Sequence, residues 1–92
     1  MKRERLYVEF DDLESLYDLS NVLVKELASL HEYDLMEKVL FWSASQFTTS
    51  TEMLGELRII LNRVAKVSAL NETIMEDVLQ CIFKINTVLG LR

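Results

Sequence analysis

The residues able to do chemistry are few. The chain holds one histidine, His31, and one cysteine, Cys81, far apart in the sequence. A metal centre needs several ligands converging on one point, and this pair does not supply them. A di-iron site in a helical bundle would require a Glu-x-x-His pair on each of two helices, and no such pair occurs. A phosphorelay histidine is not supported either, since Glu32-Tyr33-Asp34 after His31 brings neither the lysine nor the glycine of such a site. Ser43, Ser45 and Ser50 have no histidine close in sequence, no glycine-rich elbow and no phosphate loop. Two carboxylate pairs, Glu14 with Asp18 and Glu72 with Glu76, stand at i, i+4. Acid/base work would need apolar walls to drive their two pKa values apart. Both pairs instead fall near expected helix N-termini, where the helix dipole favours negative charge. The expectation is a non-enzymatic protein with no catalytic residue, no cofactor and no metal.

Charge narrows the partners. The net charge is −5, with ten basic residues spread along the chain. Nucleic-acid affinity comes largely from neutralising phosphates, so a nucleic-acid ligand is not expected. Lys2, Arg3 and Arg5 form a short basic cluster just ahead of the acidic block Glu9, Asp11, Asp12, Glu14 and Asp18. Helix-dipole complementarity and solubility account for much of that block. It is also a candidate contact surface for a basic partner, which it would steer electrostatically. No apolar run reaches the roughly 18 residues a membrane span needs. The N-terminus lacks a secretory apolar core, and a cytoplasmic location is expected. Cys81 falls on an apolar helix face and is read as a small buried hydrophobe. Asn71-Glu72-Thr73 has the form of a glycosylation sequon but reads better as helix-start chemistry.

The elements that must carry these residues are helices. Proline is absent and there are only 2 glycines, so the backbone is broken by capping chemistry rather than by forbidden geometry. Asp11-Asp12-Leu13-Glu14 resembles a capping box and opens a first helix to about Leu30. Its inward stripe is Leu13, Leu16, Tyr17, Ser20, Leu23, Val24 and Leu27. A polar break at His31–Asp34 precedes a second helix over Leu35–Phe47. Thr48-Thr49-Ser50-Thr51, with Thr49-x-x-Glu52 as a capping box, opens a third helix to about Ala69. Its inward face is Met53, Leu57, Ile60, Leu61, Val64 and Val67. Thr73-x-x-Glu76 offers another box for a fourth helix that ends at Gly90. Because Ser68–Glu72 carries no strong breaker, the third and fourth helices could also run on as one rod. Residues 1–10 are expected to be irregular or a short extended arm. The fold expected for residues 1–92 is therefore a single all-α domain, an up-down antiparallel bundle of about four helices.

The apolar faces are too wide for such a bundle alone. Half of the residues are apolar. On the fourth helix the apolar arc spans about 220°, where a surface helix needs a stripe of roughly 100° or somewhat more. The second helix is apolar almost all round, with Phe41 pointing out between Glu37, Lys38 and Ser45. Val22 and Ile59 also point away from the stripes of their own helices. Such surplus surface predicts a protein partner, with a homodimer the first expectation. The candidate interface is Leu40, Phe41 and Trp42, with Phe83 as a neighbour. Trp42 is its expected anchor, because binding energy concentrates on aromatic side chains.

In size, acidity and helicity the chain resembles the small immunity proteins that neutralise basic toxins, a likeness of fold class and not of motif. Trp42-Ser43-Ala44 near mid-chain resembles the Trp-x-Gly turn of secreted helical-hairpin proteins. The glycine is missing, and the likeness supports no inference. The functional expectation is a protein–protein interaction module: an adaptor, a regulator or an immunity-type inhibitor. One alternative is a bundle holding an apolar small molecule between helices, with Met36, Met53 and Met75 as adaptable walls. Another is a structural accessory protein of a virion, phage or plasmid.

Overall fold

The computed structural model of the chain describes residues 13–90, all helix or connecting turn. The four helices are α1 (Leu13–Ser29), α2 (Tyr33–Ala44), α3 (Ser50–Val64) and α4 (Glu72–Leu89). The described part of the chain is all-α, as its composition implies. Each helix packs on the next in the sequence, and α1 meets α4 only lightly. The molecule measures 43 × 25 × 19 Å.

Local chemistry sets each boundary. Residues 11 and 12 of the first capping box lie outside the described residues. At the end of α1 the His31 amide donates to the Ala28 carbonyl (3.1 Å) and the Glu32 amide donates to the Leu27 carbonyl (2.8 Å). That crossed pair is a Schellman motif, with His31 in its left-handed slot at φ 62°. At the start of α3 the Thr49 hydroxyl accepts from the Glu52 amide at 3.1 Å. The Glu52 carboxylate returns not to Thr49 but to Thr48, accepting from its hydroxyl at 2.8 Å and from its amide at 3.3 Å. The predicted box is thus half formed on Thr49 and half displaced by one residue.

Three helices correct the expectation. Helix α2 covers Tyr33–Ala44 rather than Leu35–Phe47: it starts two residues earlier, inside the expected polar break, and Ser45 turns extended after Ala44, so Phe47 lies in the connection to α3. Helix α3 ends at Val64 rather than near Ala69, and the chain does not run on into α4. After Val64 the bonds shorten to i−3, from Lys66 to Arg63 and from Val67 to Val64, and the tightened turn brings Leu70 into the core. Helix α4 starts from Asn71 instead of Thr73, since the Asn71 side chain accepts from the amides of Thr73 (2.8 Å) and Ile74 (3.3 Å). Asparagine caps at least as well as threonine and here comes first along the chain. The same amide end is held from outside, because the Asn71 amide donates to the Glu26 carboxylate of α1 at 2.9 Å. Gly90 ends α4 in the left-handed conformation (φ 74°), as its position predicts.

The core is built from the expected stripes. Leu23, Leu27, Val39, Leu61, Val64 and Val78 are fully enclosed, with Trp42 among them. Ser20 is buried on the α1 stripe, its hydroxyl satisfied by donating to the Tyr17 carbonyl at 2.9 Å. Cys81 is buried on the inner side of α4.

Candidate functional site

Several polar groups singled out by type make structural contacts. The Ser43 hydroxyl donates to the Leu40 carbonyl at 2.9 Å and the Ser45 hydroxyl to the Phe41 carbonyl at 2.6 Å. Both close the last carbonyls of α2, which has no left-handed residue at its end. His31 is exposed. Its left-handed backbone swings the ring outward, where Nδ1 and the Tyr33 hydroxyl hydrogen-bond at 3.0 Å. Arg58 bridges α3 to α4, its Nε donating to the Asn86 side-chain oxygen at 2.6 Å. Among the described residues no group of three or more His, Cys, Asp or Glu side chains could hold a metal ion.

The expected interface divides. Trp42 is 2% exposed, so it is a core residue and not a surface anchor. Its indole N–H donates to the Met53 carbonyl of α3 at 2.9 Å, and its ring packs between Tyr17 (5.3 Å between centroids) and Phe47 (6.4 Å). The large ring with a satisfied polar handle fills the junction of α1, α2 and the α2–α3 connection. Phe41, the next residue back, is 76% exposed. Leu40 and Phe83 are exposed as well. Of the acidic candidates, Glu14 and Asp18 are exposed on α1, while Glu9, Asp11 and Asp12 lie outside the described residues.

Two concave surfaces take in three of the exposed apolar residues, Val22, Phe41 and Ile59. One is a cleft between α2 and α3, lined by Lys38 and Phe41 on α2 and by Glu52, Glu56, Ile59, Arg63 and Lys66 on and after α3. Phe41 and Ile59 are its most exposed apolar residues, and Trp42 and Phe47 form part of its floor. The other is a groove of about 370 Å³ where α1 and α4 meet lightly, walled by Leu16, Leu19, Val22, Leu54, Ile85 and Val88. Asp18, Asp77 and Lys84 stand at its lips. Leu40 and Phe83 line neither surface. Met36, Met53 and Met75 line neither surface either; they pack into or against the core. Reading the wheel of each helix separately marks Ile59 and Val22 as outliers, but only the packing of neighbours shows which outliers share a face.

No protein-family model, curated protein or solved structure matches the chain. Among the described residues no helix is long and apolar enough to cross a membrane.

Proposed function

We propose that this chain is a non-enzymatic protein–protein interaction module, an up-down four-helix bundle that acts in the cytoplasm as a homodimer. The observation that carries this reading is Phe41, 76% exposed on the same cleft as Ile59, itself 53% exposed. A large aromatic side chain held in water beside a second apolar residue is unfavourable in an isolated monomer and is relieved by burial against protein. Leu40, Leu79 and Phe83 add further exposed apolar surface. Glu14 and Asp18 on α1 give the module an acidic side that would attract a basic partner once the dimer has formed.

Light scattering on a sizing column over a hundredfold dilution tests the reading. The wild-type chain is expected as a dimer. Phe41→Asp is expected to give a monomer with the same helical circular dichroism. A wild-type chain that is monomeric at every concentration removes self-association, and growth beyond a dimer supports the structural-accessory alternative. Glu14→Lys with Asp18→Lys should change stability by less than about 0.5 kcal/mol, both sites being exposed.

One second reading has its own support. The α1–α4 groove, at about 370 Å³, is within the size range of small-molecule sites and is mainly aliphatic. A native mass spectrum of the purified chain would reveal an apolar ligand carried there.

A further inference from the structure

The α3 side of the α2–α3 cleft carries a charge pattern with a centre. Glu52, Glu56, Ile59, Arg63 and Lys66 all line this cleft and are all exposed. Glu52, Glu56, Ile59 and Arg63 are spaced four, three and four, which puts them on one stripe of α3, and Lys66 extends the row two residues past the end of that helix. Ile59 sits in the middle. Glu56 lies three residues before it and Arg63 four after; Glu52 lies seven before it and Lys66 seven after. Reversing the row end for end about Ile59 exchanges Glu52 with Lys66 and brings Glu56 to within one residue of Arg63.

We infer that a second copy of this chain docks on this cleft with its α3 antiparallel, about a two-fold axis passing near Ile59. This rests on the self-association proposed above and specifies its geometry. A two-fold interface must be complementary to itself, each residue i meeting a residue j while j meets i. The stripe satisfies that requirement. Glu52 and Glu56 of one copy stand opposite Lys66 and Arg63 of the other, and the Ile59 side chains meet on the axis. Glu52 and Arg63 are about 16 Å apart along the helix at 1.5 Å per residue, so the paired ends flank an apolar centre on both sides. Phe41 on the α2 wall of each copy is covered by the same docking.

The helix dipole alone favours acid in a first turn and base in a last turn, and it accounts for Glu52 and Arg63. It does not account for Glu56, a turn further in, for Lys66, beyond the end of α3, or for an exposed Ile59 between them. The stripe carries equal numbers of both signs, while the α2 side of the same cleft adds Glu32, Asp34 and Glu37 against Lys38, so the paired charges of the stripe must offset an otherwise acidic surface when two copies approach. A parallel arrangement would set carboxylate against carboxylate and cation against cation. The Glu52 carboxylate holds Thr48 through one oxygen, leaving its second oxygen for the other copy.

Charge reversal on the full chain tests the geometry. Sedimentation equilibrium is measured for wild type, for Glu52→Lys/Glu56→Lys and for Arg63→Glu/Lys66→Glu, with circular dichroism confirming that each is folded. Each reversed variant is expected to dimerise at least tenfold more weakly than wild type, and a one-to-one mixture of the two should recover dimers of wild-type tightness. Raising the salt concentration should weaken the wild-type dimer, since exposed charge pairs are screened. Reversed variants that dimerise as tightly as wild type would overturn the antiparallel arrangement while leaving self-association standing, and a mixture that fails to recover would do the same. A wild-type chain that stays monomeric overturns both.

Discussion

The indole N–H of Trp42 donates to the carbonyl oxygen of Met53 at 2.9 Å, inside the core and across the connection between α2 and α3. Residue 53 lies in the first turn of α3, so the bond fixes where that helix begins relative to the end of α2. Trp42 also carries the Tyr17 and Phe47 rings, and three separate segments are therefore held by one side chain. Trp42→Phe keeps much of the apolar volume but loses the donor, and is expected to cost about 1–3 kcal/mol. Trp42→Ala also opens a cavity and should cost about 3–5 kcal/mol. Urea unfolding followed by circular dichroism measures both. A Trp42→Phe protein as stable as wild type would show that the hydrogen bond contributes nothing net.

Asn71, not Thr73, caps α4. Asn71→Ala should lower stability by about 1 kcal/mol, the usual cost of losing an N-cap. Thr73→Ala, one position inside the helix, should change it by less than about 0.5 kcal/mol. The two midpoints compared in one denaturant series decide the assignment, and equal losses would contradict it.

His31 occupies a left-handed backbone position that only glycine adopts without cost. Its ring is exposed and meets the Tyr33 side chain, also exposed. His31→Gly is expected to stabilise the chain by about 0.5–1 kcal/mol through relief of the αL strain. For a domain of this size such a gain raises the melting temperature by about 2–8 °C, readable by calorimetry.

The two glycines should respond oppositely to alanine. Gly55 lies inside α3, and a Cβ there meets nothing within 4 Å. Gly55→Ala should therefore add about 0.5–1 kcal/mol of stability. Gly90 sits at φ +74°, where a Cβ is strained despite the open space around it. Gly90→Ala should destabilise by about 1 kcal/mol. Thermal melts of the two variants check the contrast, and a common sign would refute it.

Helix number and inward faces were legible because the apolar period is strong. Leu23, Leu27, Met53, Leu57, Leu61, Val78 and Ile85 are all both predicted and buried. The end of α3 was not legible, because Ala65–Asn71 contains neither proline nor glycine and each residue there tolerates a helix. What ends the helix is Leu70 entering the core, a tertiary preference with no local signature. Trp42 illustrates the same limit for the site. The period pointed Phe41 outward between Glu37, Lys38 and Ser45, as found, but could not show that Trp42 is enclosed in the core and not an interface anchor. That enclosure depends on Tyr17 from another helix and Phe47 beyond the end of α2. The charge stripe on α3 was present in the sequence throughout. Its meaning emerges only once Glu52, Glu56, Ile59, Arg63 and Lys66 are seen to border the same cleft as Phe41.

The light meeting of α1 with α4 has a consequence for how the molecule breathes. Local opening in proteins follows the junctions with fewest buried contacts, and here that junction is the wall on which Cys81 lies, 8% exposed. Separation of the two helices would uncover the sole thiol of the chain. The rate at which a thiol reagent labels Cys81 in native buffer thus reports the opening of one seam, while the fluorescence of the sole tryptophan reports the opposite side of the same core.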